Sequence, residues 1–217
     1  MPRSPRPESS MRGFRLRLLE IVAAMPAVMS AVIPGFAHSQ QVEFVAASAA
    51  LNHSTRAYEA IWKEYGERIV AALEMRTCLP FIEHDVSAMI ADGVSHSGGP
   101  EHPMQLRASY PDEVKRSTLV HELGHRHLWQ LAERLEDIDG HKTLYLVLDR
   151  VWADVWGAEF AADRVLGESS WNAEYDYAAA WRWARSLDPA ERARLWSELL
   201  ARNGFPTECG ESADGAR

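Results

Sequence analysis

Residues 121–125 read His-Glu-Leu-Gly-His, which sets His121 and His125 four apart with Glu122 between them. On a helix, side chains four apart lie one above the other on one face. Two imidazoles so placed can reach a single metal ion, and the Glu122 carboxylate then sits beside the coordination position left for water. This is the HExxH pattern of zinc-dependent hydrolysis, in which the ion activates water and the glutamate takes its proton. The pattern predicts a hydrolase with one Zn2+ ion on His121 and His125 and with Glu122 as general base, and it leaves the substrate class open.

A catalytic zinc usually takes three protein ligands and leaves its fourth position open. The extension HExxHxxGxxH is excluded, because positions 128 and 131 hold Leu128 and Leu131. A better source is Ala158-Glu159-Phe160-Ala161-Ala162-Asp163-Arg164, read as part of a helix over 143–166. On a continuous helix Glu159 extends the stripe of Trp152, Val155 and Trp156. A carboxylate on an apolar stripe is costly to bury unpaired, and metal ligation removes that cost. Asp163, one turn on, is placed to accept the free ring N–H of a ligating histidine. The bland alternative is a surface Glu159 paired with Arg164 or Arg150, with Asp149 and Asp154 as substitute ligands.

HExxH followed on a later helix by ExxxD resembles the gluzincin metallopeptidases, of which thermolysin is a member. The stretch from Glu159 to Arg164 is similar to the Glu-Phe-x-Ala-Asp-Arg segment of the CAAX prenyl endopeptidase and HtpX heat-shock protease family. The resemblance spans roughly residues 105–170 and is specific at the two motifs only. It implies zinc on His121, His125 and Glu159, Glu122 as base, Asp163 behind a ligand, and a protein or peptide as substrate. Integral-membrane members carry a set of transmembrane helices that this chain lacks, so the resemblance implies a soluble, minimal version. Related enzymes often stabilise the developing oxyanion with a Tyr, His or Arg, and Tyr175, Tyr177, His141 and Arg150 are the candidates here.

The elements that must position these groups are mostly helical. Tyr58, Ile61, Trp62, Tyr65, Ile69 and Leu73 recur at helical spacing within 51–75. Residues 78–110 are mixed, with a turn-rich loop over 95–103 and one strand at 104–110 suggested by alternating Met104, Leu106, Ala108 and Tyr110. That strand is a candidate edge for pairing with an extended peptide, and an ordinary structural edge strand is the competing reading. Pro111, Asp112 and Glu113 open the motif helix, which is expected to run to about Leu135. A turn over 137–141, the helix over 143–166, a Trp- and Ala-rich helix within 171–187 and a last helix opened by Asp188-Pro189-Ala190-Glu191 complete the chain. The predicted fold is mainly α with a small β-sheet (α+β). It is zincin-like, with the active-site helix packed on a second ligand-bearing helix.

The bulk properties are ordinary for a soluble globular protein. The chain has 217 residues, 47% hydrophobic and 25% charged, with a formal net charge of −8. That acidic balance offers no electrostatic footprint for nucleic acid. The basic region Arg3 to Arg17, the apolar stretch 21–37 and its small-residue end read as a signal peptide, with an uncleaved membrane anchor as the alternative. The expected organisation is therefore a signal or anchor over 1–37, a metallopeptidase domain over 38–206 and a flexible tail over 207–217, in a periplasmic or secreted protein. Cys78 and Cys209 could pair in such a compartment. A non-proteolytic chaperone or scaffold of the cell envelope is the rival function, and an intact Glu122 weighs against it.

Overall fold

The computed structural model describes residues 41–99, 101–135, 140–171 and 175–207, all within one compact unit spanning His38–Arg217. The signal-like segment, Cys209 and nearly all of the tail lie outside the described residues. The fold is mainly helical with a small three-stranded parallel sheet, as the sequence predicts. Among the described residues no helix is long and apolar enough to cross a membrane.

The sheet has the order β1-β2-β3, formed by Gln41–Ala46, Asp85–Ala91 and Met104–Arg107. All pairs are parallel, with Val42 beside Val86 and Ile90 beside Leu106. Only β3 was expected. β2 reads as mixed sequence because apolar Met89 and Ala91 on its other face break the alternation set by buried Val86, Ala88 and Ile90. Parallel strands need a crossover, and between β1 and β2 it is the long helix α1 (Asn52–Thr77). Of the predicted stripe, Tyr58, Ile61, Ile69 and Leu73 are buried, whereas Trp62 and Tyr65 are only partly buried. Between β2 and β3 the chain loops past the outer edge of β3. There His96 exchanges both backbone hydrogen bonds with Gln105, at 3.0 and 2.9 Å, and the Arg107 N–H donates to Ser95 Oγ. That edge is therefore already paired, so β3 does not offer the open edge considered for a peptide.

The motif helix α2 (Asp112–His127) has Asp112 and Glu113 in its first turn, where acidic residues favour the positive helix end. It ends earlier than expected, passing into a 3-10 turn at Leu128–Gln130. Every residue from Ser117 to Gly124 is buried, so α2 is the central element of the fold. Arg126 fastens its last turn. Its buried guanidinium pairs with Glu83 and donates to the carbonyls of Ser97 and His102 at 2.7 and 3.0 Å.

The expected helix over 143–166 is three elements: α3 (His141–Tyr145), α4 (Leu148–Trp156) and α5 (Ala158–Ser169). Gly157 separates the last two with φ 96° and ψ 161°, a backbone region open essentially to glycine alone. Two helices follow, α6 (Tyr177–Ser186) and α7 (Pro189–Arg202). Asp188 caps α7 by accepting the Glu191 N–H at 2.8 Å, as the Asp-Pro-x-Glu start predicts. Buried Trp152, Tyr145 and Trp181 lie where α3, α4 and α6 meet.

Candidate metal centre

The helical spacing of α2 places His121 and His125 on one face, and their Nε2 atoms lie 3.2 Å apart. A third imidazole completes a triangle. His141 Nε2 is 3.2 Å from His121 Nε2 and 3.4 Å from His125 Nε2. His141 opens α3 directly after Gly140, which adopts a left-handed φ of 76°. The approach of α3 to α2 depends on Gly124, the second variable position of the pentapeptide. A Cβ there would meet Leu144 Cδ1 at 2.6 Å, and Leu144 is fully buried.

Hydrogen bonding alone cannot satisfy this triangle. A neutral Nε2 is either donor or acceptor, so three mutual contacts must include one matched pair. Three lone pairs aimed at one point is a consistent solution, and it is the arrangement that a metal ion takes. Tetrahedral geometry with metal–nitrogen distances of about 2.0–2.1 Å sets ligand nitrogens about 3.3–3.4 Å apart. The observed separations match that face. These three histidines can hold a metal ion, and they are the group of possible ligands found among the described residues. The chain matches no family model, no curated protein and no solved structure.

Behind the triangle stands a carboxylate. His121 Nδ1–H donates to Glu168 Oε1 at 2.9 Å, which leaves Nε2 as the lone-pair nitrogen. Glu168 Oε2 accepts from the Tyr145 hydroxyl and the Trp181 indole N–H, both at 3.0 Å. Tyr145 and Trp181 stack with centroids 3.8 Å apart, so the clamp on Glu168 is itself rigid. Glu168 is 1% exposed, and three donors offset the cost of burying its charge.

The electrostatics sort the groups by role. Burial pushes His125 well below the usual histidine range, with His121, His141 and Arg134 adding to the effect. Burial and then His121 push His141 down to about 3. Burial also disfavours protonated His121, but the charge and hydrogen bond of Glu168 outweigh it and raise its pKa. Burial pushes Glu122 up to about 7, with His121 opposing and Glu168 adding. A carboxyl that titrates near neutrality is suited to taking and returning a proton.

The sequence-derived partners fall elsewhere. Glu159 and Asp163 are exposed on α5, whose inward face carries Ala161, Val165 and Glu168. His141 stands at the third corner instead of Glu159, and Glu168 stands behind His121 instead of Asp163. The group that could hold an ion is thus three histidines, and Glu159, which the gluzincin resemblance implies as a ligand, is not part of it. The physical reason is Gly157. Its backbone ends the stripe of Trp152 and Val155 and starts α5 in a new phase, about 200° away for residues two positions from Ala161. The substitute carboxylates are also engaged: Asp154 binds Arg76 at 2.5 and 2.6 Å, and Asp149 binds Arg192 at 3.0 Å.

Of the oxyanion candidates, Tyr177 and Tyr175 flank His141, with ring centroids at 4.8 and 5.8 Å. Arg150 belongs to the Asp149–Arg192–Arg76 group. His127 faces away from the triangle, buried against Phe81 and within 2.8 Å of Thr77 Oγ1. The missed residues did leave signals in the sequence. Gly157 interrupts a helical pattern, a known break point, and Gly140 immediately precedes His141.

Proposed function

We propose that this protein is a zinc-dependent peptidase, with the ion held by His121, His125 and His141 and with Glu122 as general base. The observation that carries the reading is the Nε2 triangle with edges of 3.2–3.4 Å, set beside a buried carboxyl near neutral pKa. Three neutral imidazoles suit zinc among the common divalent ions, as a nitrogen set of borderline softness. A bound zinc ion supplies Lewis acidity, lowering the pKa of water to about 7 and polarising a carbonyl.

The remaining chemistry belongs to the chain. A Glu122 carboxylate oxygen accepts one proton from the attacking water as the new C–O bond forms at the scissile carbonyl. It then delivers that proton to the leaving amine nitrogen as the C–N bond breaks. Glu168 keeps the His121 ring in one tautomer and one orientation throughout. His125 is the least buried corner of the triangle.

The test is zinc content together with cleavage of casein and a broad peptide library, for the parent and for Glu122→Gln. The variant is expected to keep its zinc and lose activity about 100-fold or more, the usual contribution of a general base. Retained activity in Glu122→Gln removes the assignment of the base. A zinc-loaded parent that cleaves no peptide favours a non-proteolytic role for the same metal centre.

A further inference from the structure

A row of aromatic rings leads away from the centre. Tyr177 stands edge-on to His141 at 4.8 Å, Trp171 follows at 5.5 Å from Tyr177, and Tyr110 lies 6.1 Å beyond Trp171. Tyr175 flanks the start of the row, 6.1 Å from Tyr177 and 39% exposed. Arg107 closes the far end, its guanidinium 5.5 Å from the Tyr110 ring. Tyr177, Trp171, Tyr110 and Arg107 are all half-buried, so each keeps part of its side chain open to solvent.

Large rings are normally buried in a core or used at an interface. These come from three separate places: two residues ahead of α2, two residues beyond α5 and the start of α6. They meet only in the folded chain, and they start at a candidate metal ligand. We propose that this row is the substrate rail of the enzyme, binding an extended peptide that carries large apolar or aromatic side chains on one side of the scissile bond. The inference rests on the peptidase reading above.

Dimensions favour that occupant. In an extended chain, side chains on one face repeat every 6.6–6.8 Å or so, close to the 5.5 and 6.1 Å steps of the row. From Asp112 to His121 the helix α2 rises roughly 14 Å, the reach of about four extended residues, and Tyr110 lies two positions ahead of that start. The ring angles also discriminate. Trp171 crosses Tyr177 at 89° while lying nearly parallel to Tyr110, at 11°. Crossed rings leave notches for separate side chains, whereas a flat sugar chain stacks on coplanar platforms.

Binding is measured with zinc-loaded Glu122→Gln protein, which holds a peptide without turning it over. The probes are a Gly/Ser decapeptide, the same peptide with two phenylalanines two positions apart, and a β-1,4-linked glucose hexamer. The phenylalanine peptide is expected to bind at least 10-fold tighter than the Gly/Ser peptide. Trp171→Ala and Tyr110→Ala, each added separately, are expected to remove that preference with zinc content unchanged. Equal affinity of the two peptides overturns the rail, and so does preferential binding of the hexamer. The parent preference decides the matter even if one variant fails to fold. An aromatic preference without cleavage by the Glu122-bearing protein keeps the rail and sinks the peptidase reading instead.

Discussion

Across 47 residues of chain, the His121 ring donates its Nδ1–H to Glu168 Oε1 at 2.9 Å. The contact joins the motif helix to the end of α5, and it selects the nitrogen that His121 turns towards the centre. Glu168 accepts three hydrogen bonds in all, from His121, Tyr145 and Trp181. Replacement by Gln leaves one acceptor oxygen and adds an N–H2 that must face a donor. Glu168→Gln is therefore expected to weaken zinc binding roughly 10- to 100-fold, the range for loss of an outer carboxylate. Competition with a chromogenic chelator measures it, and an unchanged affinity removes this role.

The third corner of the centre separates two residues. His141→Ala is expected to reduce zinc affinity on the order of 100-fold or more, since structural zinc binding of about 10–16 kcal/mol is shared among a few ligands. Glu159→Ala is expected to bind zinc like the parent, because Glu159 is exposed on the far side of α5. Zinc stoichiometry after dialysis against a weak chelator distinguishes them. Loss of zinc from Glu159→Ala alone would restore the sequence-derived ligand.

Metal removal is expected to lower the melting temperature. At free zinc 1,000 times the dissociation constant, binding adds about 4.1 kcal/mol to the folded state. For a chain of this size that corresponds to roughly 10 °C. Scanning calorimetry with and without chelator, followed by zinc add-back, measures the shift. No change in melting temperature argues against a centre joining α2 to α3.

Gly157 is expected to resist substitution although a side chain there would enter open space. A Cβ at this position would meet no atom within 4 Å, yet the φ of 96° strains any L side chain. Gly157→Ala should cost about 1–3 kcal/mol of stability. It should also lower zinc affinity, since the phase of α5 carries Glu168. Urea unfolding and zinc titration read the two effects, and a stability equal to the parent would remove Gly157 as the determinant of that phase.

Much of the centre was legible before folding was considered. His121 and His125 depend on a four-residue spacing within one helix, and that spacing is a local property of the chain. Glu122 follows from the same pattern. The long stripe of α1 and the Asp188 cap of α7 are equally local, and both occur as read. Glu159 lies off the centre because Gly157 ends the helix whose apolar stripe Glu159 would otherwise extend.

The sequence by itself determined a mainly helical fold and two histidines with a glutamate on one motif helix. It did so because helical periodicity is set residue by residue. Tertiary structure alone decided that His141 forms the third corner and that Glu168 stands behind His121. Those two facts depend on non-local geometry: the close approach of α3 at Gly124, and the turn at Gly157 that sets which face of α5 is inward. Neither contact is encoded by spacing, because each joins elements whose relative placement comes from packing.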